Sequence, residues 1–489
     1  MTNDLDAALA LSRFGLGARD GSLAAIGADP RGALRQEITG RALTMPVGPE
    51  LKPSPALLVD LYAFLKEQKL ERERKNEKAT VQNATGRPMS RRQMMTGGQN
   101  PAAPGPAAET PKNAPLPQLV FLAEVDARFN GTMRDPAIGF PERLAMFWAN
   151  HFAVAVSKGP GVRVLAGAFE REAIRPHLFG RFEDMLQAVE THPAMLAFLD
   201  NAQSIGPDSR AGARSKRGLN ENLAREIMEL HTLGVDGGYS QRDVTSLARI
   251  ITGWTIEREQ KGPHGVPLGE PGTFVFNPNA HEPGTQSLLG VSYPDNGVQQ
   301  GRAALRALAH HPSTAKHLAY KLARHFVADA PPPSLVAKLV DTFTRTRGDL
   351  SAVYLALVGA DEAWNPELVK MRSPLEYVVA LLRASGEKPK PQQIAGTLNA
   401  LGQPIWNPPG PNGFSDKVDA WASSEGLATR IDVANLIAAA TPGSDDPRRF
   451  ARGILGPLMS PQTDEAMARA ANRKQAVSLA YLSPEFQRR

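Results

Sequence analysis

The sequence predicts a mainly all-α, multi-helical globular protein with a small β-hairpin insertion and a disordered segment rich in proline and glycine. Three observations carry that reading. Apolar residues recur at helical spacing through most of the 489 residues. Prolines repeatedly stand where a first helical turn begins, a position that tolerates their missing N–H. Only two short runs, TFVF at 273–276 and LLGVSY at 288–293, look like strands, and together they suggest one small hairpin. With 42% hydrophobic and 22% charged residues, most of the chain has the means to bury a core.

The elements follow in order. Residues 1–80 form an N-terminal helical region, with helices at 4–13 and 30–39 and a long run from 55 to about 80. In that run Leu57, Leu58, Leu61 and Leu65 form a stripe that fades into LKEQKLERERKNEK, the alternating charge of a solvated helix face. Residues 81–115, with GRPMS, TGGQN and PAAPGPAAETPKNAP, read as a flexible low-complexity linker. Residues 116–300 form a central helical domain. Its helices fall at 141–156, 162–178, 182–189 and 193–199, then at 219–233 and near 241–254, and the β insertion lies within 257–296. Residues 301–489 form a C-terminal helical region, interrupted by the loop QPIWNPPGPNGF at 403–414. No repeat of 20–50 residues marks a solenoid.

Several function classes are excluded by what the chain lacks. It has no cysteine, which removes disulfides, thiolate nucleophiles and cysteine-ligated zinc or iron–sulfur sites. A net charge of +6 from 56 basic and 50 acidic residues is a thin excess over a large surface, and no nucleic-acid motif accompanies it, so nucleic acid is not an expected partner. No run approaches 18 consecutive apolar residues, so no membrane span is expected. The first residues carry Asp4 and Asp6 where a signal peptide needs positive charge, and the Arg91–Arg92 pair is internal with no apolar run behind it. A cytoplasmic location is the expectation, with export alongside a partner as the alternative. HExxH, GxSxG, GxGxxG, the phosphate loop and the EF-hand are all absent.

Polar chemistry concentrates in NENLAREIMELH, residues 220–231. On a regular helix Leu219, Leu223, Ile227 and Leu230 make the buried side, with Glu226 and Asn222 close beside it, Glu229 next, Arg225 beyond, Glu221 turned away and His231 on the opposite flank. A carboxylate near an apolar face is paired, hydrogen-bonded or protonated, so Glu226 is the best candidate for a perturbed acid. The plainer structural reading is a salt-bridged helix surface, Glu221–Arg225–Glu229, with Asn220 as a cap. Other candidates to converge on this helix are Asn150 and His151, which interrupt an apolar helix, and His281 and Glu282 in the insertion. Trp148 and Trp254 could stack on sugar rings, although core packing is the commoner fate of tryptophan. The basic loop carrying Arg210, Arg214, Lys216 and Arg217 precedes the helix and could hold an anion, or could simply be solvated.

The segments RFGLGAR (13–19), FWANHF (147–152), HPAMLAFLDN (192–201), NENLAREIMELHTLGVDGGYSQRDV (220–244), ARIITGW (248–254), AHEPG (280–284) and GQPIWNPPGPNG (402–413) resemble the domain-of-unknown-function family 1800. The resemblance spans nearly the whole chain. It implies a bacterial protein, often encoded beside a second uncharacterised family, 1501, that resembles sulfatases and phosphatases and carries an export signal. It brings no reaction with it. Where that family tends to show His-Asp-Pro-Gly, this chain has His281-Glu282-Pro283-Gly284, a carboxylate one methylene longer.

Three functional expectations follow. The first is a hydrolase-like enzyme acting on a polar polymer such as a polysaccharide, with Glu226 as acid, Glu229 or Glu282 as the ionised carboxylate, and His231 assisting. Asn222, Arg225, Arg217, Trp148 and Trp254 would bind substrate. A metal-assisted version of the same hydrolase places a divalent ion on His151, His231, His281 and Glu226. The third expectation is a non-catalytic binding or escort partner of a family-1501 protein.

Overall fold

The computed structural model describes residues 2–41, 43, 45–84, 114–132, 137–214, 218–258, 267–441 and 446–489. Most of the linker expected at 81–115 lies outside those residues. Helices dominate, and many begin on a proline: Pro30–Thr39, Pro160–Phe169, Pro193–Phe198, Pro312–Phe326, Pro333–Arg345, Pro374–Ser385 and Pro391–Ala400. The ring presets the helical φ and removes an N–H that no carbonyl would have met. Side-chain caps complete several of these starts. Asp29 accepts from Gly32 N at 2.9 Å. Ser373 and Glu376 cap each other's backbone N–H, as do Ser240 and Asp243 at the head of Gln241–Ile250. The long helix Ser54–Ala84 turns Leu57, Leu58 and Leu61 inward, and its charged stretch at 71–77 is exposed.

One continuous hydrophobic core runs from Ala7 to Phe486. Phe14, Phe140, Phe326 and Trp364 meet at its centre, with ring centroids 5.2–6.1 Å apart. The opening RFGLGAR segment is a packing device. Gly15 lies so close to the chain at 138 that a Cβ there would sit 2.5 Å from the Ile138 carbonyl oxygen. Arg143 and Arg383 donate to the carbonyls of Gly15 and Gly17.

The structure corrects three details of the expected elements. The expected single hairpin is two separate two-stranded sheets. Trp254–Ile256 pairs with Phe274–Phe276, and Gln286–Leu288 pairs with Val291–Tyr293. The second pair closes on Leu289 and Gly290, both at positive φ, a two-residue turn that needs no outside strand. The helix expected at 141–156 ends at His151, and the chain then runs out to donate from Val156 N to the Trp406 carbonyl at 2.9 Å. The helix expected at 219–233 is shorter, Asn222–Glu226 continued by a π-helical turn, Ile227–His231. Among the described residues no helix is long and apolar enough to cross a membrane.

Candidate functional site

The π turn decides what the NENLARE segment presents. Its extra residue per turn swings His231 from the expected flank into the interior, where its exposure is 0%. His231 Nδ1 meets Glu190 Oε1 at 2.8 Å, and Glu190 is equally buried. Asn222, expected beside the apolar stripe, is exposed, because the helix begins at that residue and its N–H is taken by Asn220 Oδ1 at 2.9 Å. Glu221, Arg225, Gln241 and Thr245 form a surface network with contacts of 2.6–3.1 Å. The Thr245 hydroxyl leads in holding the Glu221 carboxyl below its usual range.

Glu226 and Glu229 are half-buried, and neither has a hydrogen bond or ion pair among the described residues. Burial pushes the Glu226 carboxyl above its usual range, against the attraction of His231 and with Glu229 adding to the rise. Tyr239 lies near the pair, its hydroxyl raised by burial and then by Glu229.

His151 lies beside His231, the ring centroids 6.2 Å apart and His151 Nε2 3.2 Å from the His231 carbonyl. Lys321 Nζ donates to His151 Nδ1 at 2.9 Å, and His317 Nε2 reaches the Leu230 carbonyl at 3.1 Å. Burial lowers all three of these bases: His151 well below its normal value, His317 to about 4 and Lys321 to about 8. His281 makes its contacts elsewhere, with Nδ1 2.9 Å from the Thr252 carbonyl and Nε2 3.5 Å from Asp295 Oδ1. Glu282 braces the neighbouring loop, accepting from Asp208 N at 2.9 Å, while its own N–H donates to Thr252 Oγ1 at 2.8 Å. The residues expected to hold a metal therefore divide between two places, and both nitrogens of His151 are engaged. Among the described residues no three histidine, aspartate or glutamate side chains are grouped to hold a metal ion.

The stacking role expected of Trp148 and Trp254 is closed to them, since both have 0% exposure. Trp148 Nε1 donates to the Tyr354 hydroxyl at 2.7 Å, and Trp254 packs edge-on to Phe274. Arg217 and Lys216 fall outside the described residues.

A cavity of about 80 Å³ lies where Phe140–His151, Pro312–Phe326 and Pro374–Ser385 approach the loop at 402–418. Asn150 clamps that loop, giving Nδ2 to the Phe414 carbonyl at 2.9 Å and taking Phe414 N at 2.8 Å. Asp416 Oδ1 meets His325 Nδ1 at 2.8 Å, and Asp329 accepts from Val418 N at 2.9 Å. Lys370 donates to the Asp416 carbonyl. Gly413 is at φ +74°, and a Cβ there would lie 2.3 Å from the Asn150 carbonyl oxygen, so only glycine lets the loop approach this closely.

Behind this wall Glu376 is saturated: Arg143 at 2.6 Å, Arg489 at 3.0 and 3.1 Å, and Ser373 N at 2.9 Å. Burial opposes the charge on Glu376 and on Asp416, but the surrounding cations and His325 hold both carboxyls well below their usual range. Burial in turn lowers His325 despite Asp416. On the opposite side Arg175 forks onto Glu142 at 2.8 and 3.0 Å and reaches Glu170, which also accepts from Trp406 Nε1 at 3.2 Å. Trp406 itself holds a φ of +46°, a left-handed backbone that a bulky residue adopts only under constraint.

Asp416, His325, Glu376 and Trp406 are absent from the site expected from sequence, where the 403–414 stretch reads only as an interruption. The usable signal is its length: 402–418 has no helix or strand, and structureless loops beyond about 12–15 residues in a compact fold are usually either functional loops or linkers.

The family model described as "Protein of unknown function (DUF1800)" matches residues 9–488. The chain belongs to this family. No curated protein and no solved structure matches it. The NENLARE helix and every lining residue of the cavity except Arg489 fall within this DUF1800 match, and the segments that carried the resemblance have identifiable places in the structure. FWANHF ends on the Asn150 clamp and His151, GQPIWNPPGPNG forms the loop over the cavity, and AHEPG is a brace.

Proposed function

We propose that this protein binds a polar ligand, free or at the end of a polymer, in the cavity beneath the 402–418 loop. The observation that supports the reading is the way the loop is held: polar side chains from two separate segments, half-buried Asn150 on one and buried His325 with partly exposed Asp329 on the other, pin an otherwise structureless stretch over a concave space. Holding a loop in one geometry against its chain entropy is how binding loops are preorganised. The test is a thermal-shift panel of neutral, anionic and cationic saccharides, amino acids and nucleotides. A true ligand at a hundred times its Kd adds about 2.7 kcal/mol to stability. A panel that leaves the wild-type midpoint unmoved overturns the reading.

A second reading, hydrolysis of a polar polymer such as a glycan, is favoured by Glu226. Its carboxyl is raised by burial, and Glu229 stands three residues on with no partner of its own, which matches the protonated acid and ionised carboxylate of glycoside cleavage. Glu282 is already committed to Asp208 N, so Glu229 is the base in this reading. A screen of glycan and ester substrates would detect turnover in the wild type that Glu226→Gln lowers at least a hundredfold, the usual scale for losing a general acid. Equal turnover in the variant removes Glu226 from the chemistry.

A further inference from the structure

We propose that the cavity takes a neutral, hydroxyl-rich ring, a pyranose unit of a saccharide, rather than a charged ligand. The proposal rests on the reading of the cavity as a ligand site and narrows it to one chemical class.

Size comes first. At roughly 10–15 Å³ of such space per water, a cavity of about 80 Å³ accommodates about six waters, the bulk of one sugar ring. Charge comes second. The lining carries two cations, Arg128 and Arg489, and two anions, Glu376 and Asp416. Each already has an opposite charge beside it: Arg489 on Glu376, Arg128 on Glu170 at 3.2 Å, and Asp416 near Lys321 and Lys370. A phosphate or uronate entering here meets two carboxylates and no cation lacking a carboxylate. An ammonium meets two guanidiniums, and the one carboxylate oxygen still open to it, Asp416 Oδ2, already lies in the field of Lys321 and Lys370. Either ligand would lose its hydration for no new pairing.

The groups left over are those that suit hydroxyls. Asp416 Oδ2 accepts no hydrogen bond from a described residue, and Gln403, which uses Oε1 on Leu375 N at 2.8 Å, has its Nε2 donor unused. The apolar part of the lining includes three aromatic side chains, Trp406, Phe414 and Trp421, beside aliphatic ones such as Met146, Val154 and Ile405, and the Phe414 and Trp421 rings sit 6.3 Å apart. Aromatic faces beside a carboxylate and an amide form a surface that receives C–H and O–H groups together.

The experiment is calorimetric titration of the full chain with neutral gluco-, xylo- and manno-oligosaccharides, with oligogalacturonate as the anionic arm and chitosan oligomers as the cationic arm. The expected result is binding of at least one neutral series, with an affinity that hardly changes with salt. Trp421→Ala and Gln403→Glu each weaken it by about tenfold, the scale of one aromatic or polar contact. Trp421 is half-buried in the turn that follows the loop, where its Nε1 donates to the Ser415 carbonyl at 2.9 Å, and its variant is expected to melt close to the wild type, which separates lost binding from lost folding. Binding of only a charged series, abolished by both variants, overturns the neutral-ring proposal and leaves the cavity reading standing. Binding that neither variant changes, or no binding in any arm, overturns the proposal. If the wider polar panel is silent as well, the cavity reading falls with it.

Discussion

At the scale of single residues, the same polar side chain carries opposite meanings depending on what surrounds it. His231 sits in the most polar segment of the sequence, yet its imidazole is sealed at 0% exposure against Glu190. His231→Ala is therefore expected to act through folding. It strands a buried carboxylate and should cost about 3–5 kcal/mol. Replacing both partners with apolar residues of similar volume, Glu190→Leu with His231→Phe, should recover most of that loss, since nothing charged is left unmatched. Urea melts of His231→Ala and of the double variant would settle it, and a double variant as damaged as His231→Ala would refute the account. The neighbouring Glu226 illustrates what was legible. A carboxylate three residues from the Leu223 core position announces a perturbed acid, and burial does raise it. His231's inward turn was not legible, because a π turn is a response to tertiary packing that 100° per residue cannot foresee.

At the scale of elements, the loop at 402–418 behaves as a part held from outside. It has no ladder of its own, so its order depends on Asn150, His325, Asp329 and Lys370. Asn150→Ala removes two hydrogen bonds to Phe414 and leaves two backbone groups without partners, a loss of about 2–3 kcal/mol. Hydrogen exchange is expected to quicken across 403–418 while Pro312–Phe326 and Pro374–Ser385 keep their protection, because the helices draw on the core and not on the loop. Uniform deprotection of the whole chain would show instead that the clamp is part of the global fold. The helices themselves were plain from sequence at their starts, since a proline such as Pro374 marks its own position and Ser373 with Glu376 completes the cap. Their ends were less plain. The 141–156 pattern stays apolar past His151, and it is the pull of Trp406 on Val156, more than 200 residues away in the chain, that ends the helix. The cavity was hidden for the same reason: its lining comes from six stretches that no local period connects.

At the scale of the whole molecule, the buried ionisable groups predict how stability responds to acid. Burial holds His151 and His317 neutral in the folded chain, with His317 lowered to about 4, whereas in the unfolded chain they take protons near pH 6.5. The unfolded state therefore binds more protons between about pH 6.5 and 4, and stability declines as pH falls through that window. Lys321, lowered to about 8, has already contributed its loss at higher pH and adds nothing further there. Below about pH 4 a second decline begins. Glu376 and Asp416 stay ionised in the fold well below the range where unfolded carboxylates protonate, so their stabilisation is present above that range and is lost as pH falls. Glu142 and Glu226, whose carboxyls burial raises, act with the opposite sign: ionising them costs the fold, and acid relieves that cost above pH 4. The histidine decline and the carboxylate relief partly cancel, so the net curve should be shallow from pH 6.5 to 4 and steep below. Chemical denaturation at half-unit steps from pH 7 to 3 measures this directly. Asp416→Asn should flatten the steep limb, since it removes one of the two most strongly lowered carboxylates behind it, and an unchanged limb would show that other lowered carboxylates, such as Glu170 and Asp329, drive the acid transition.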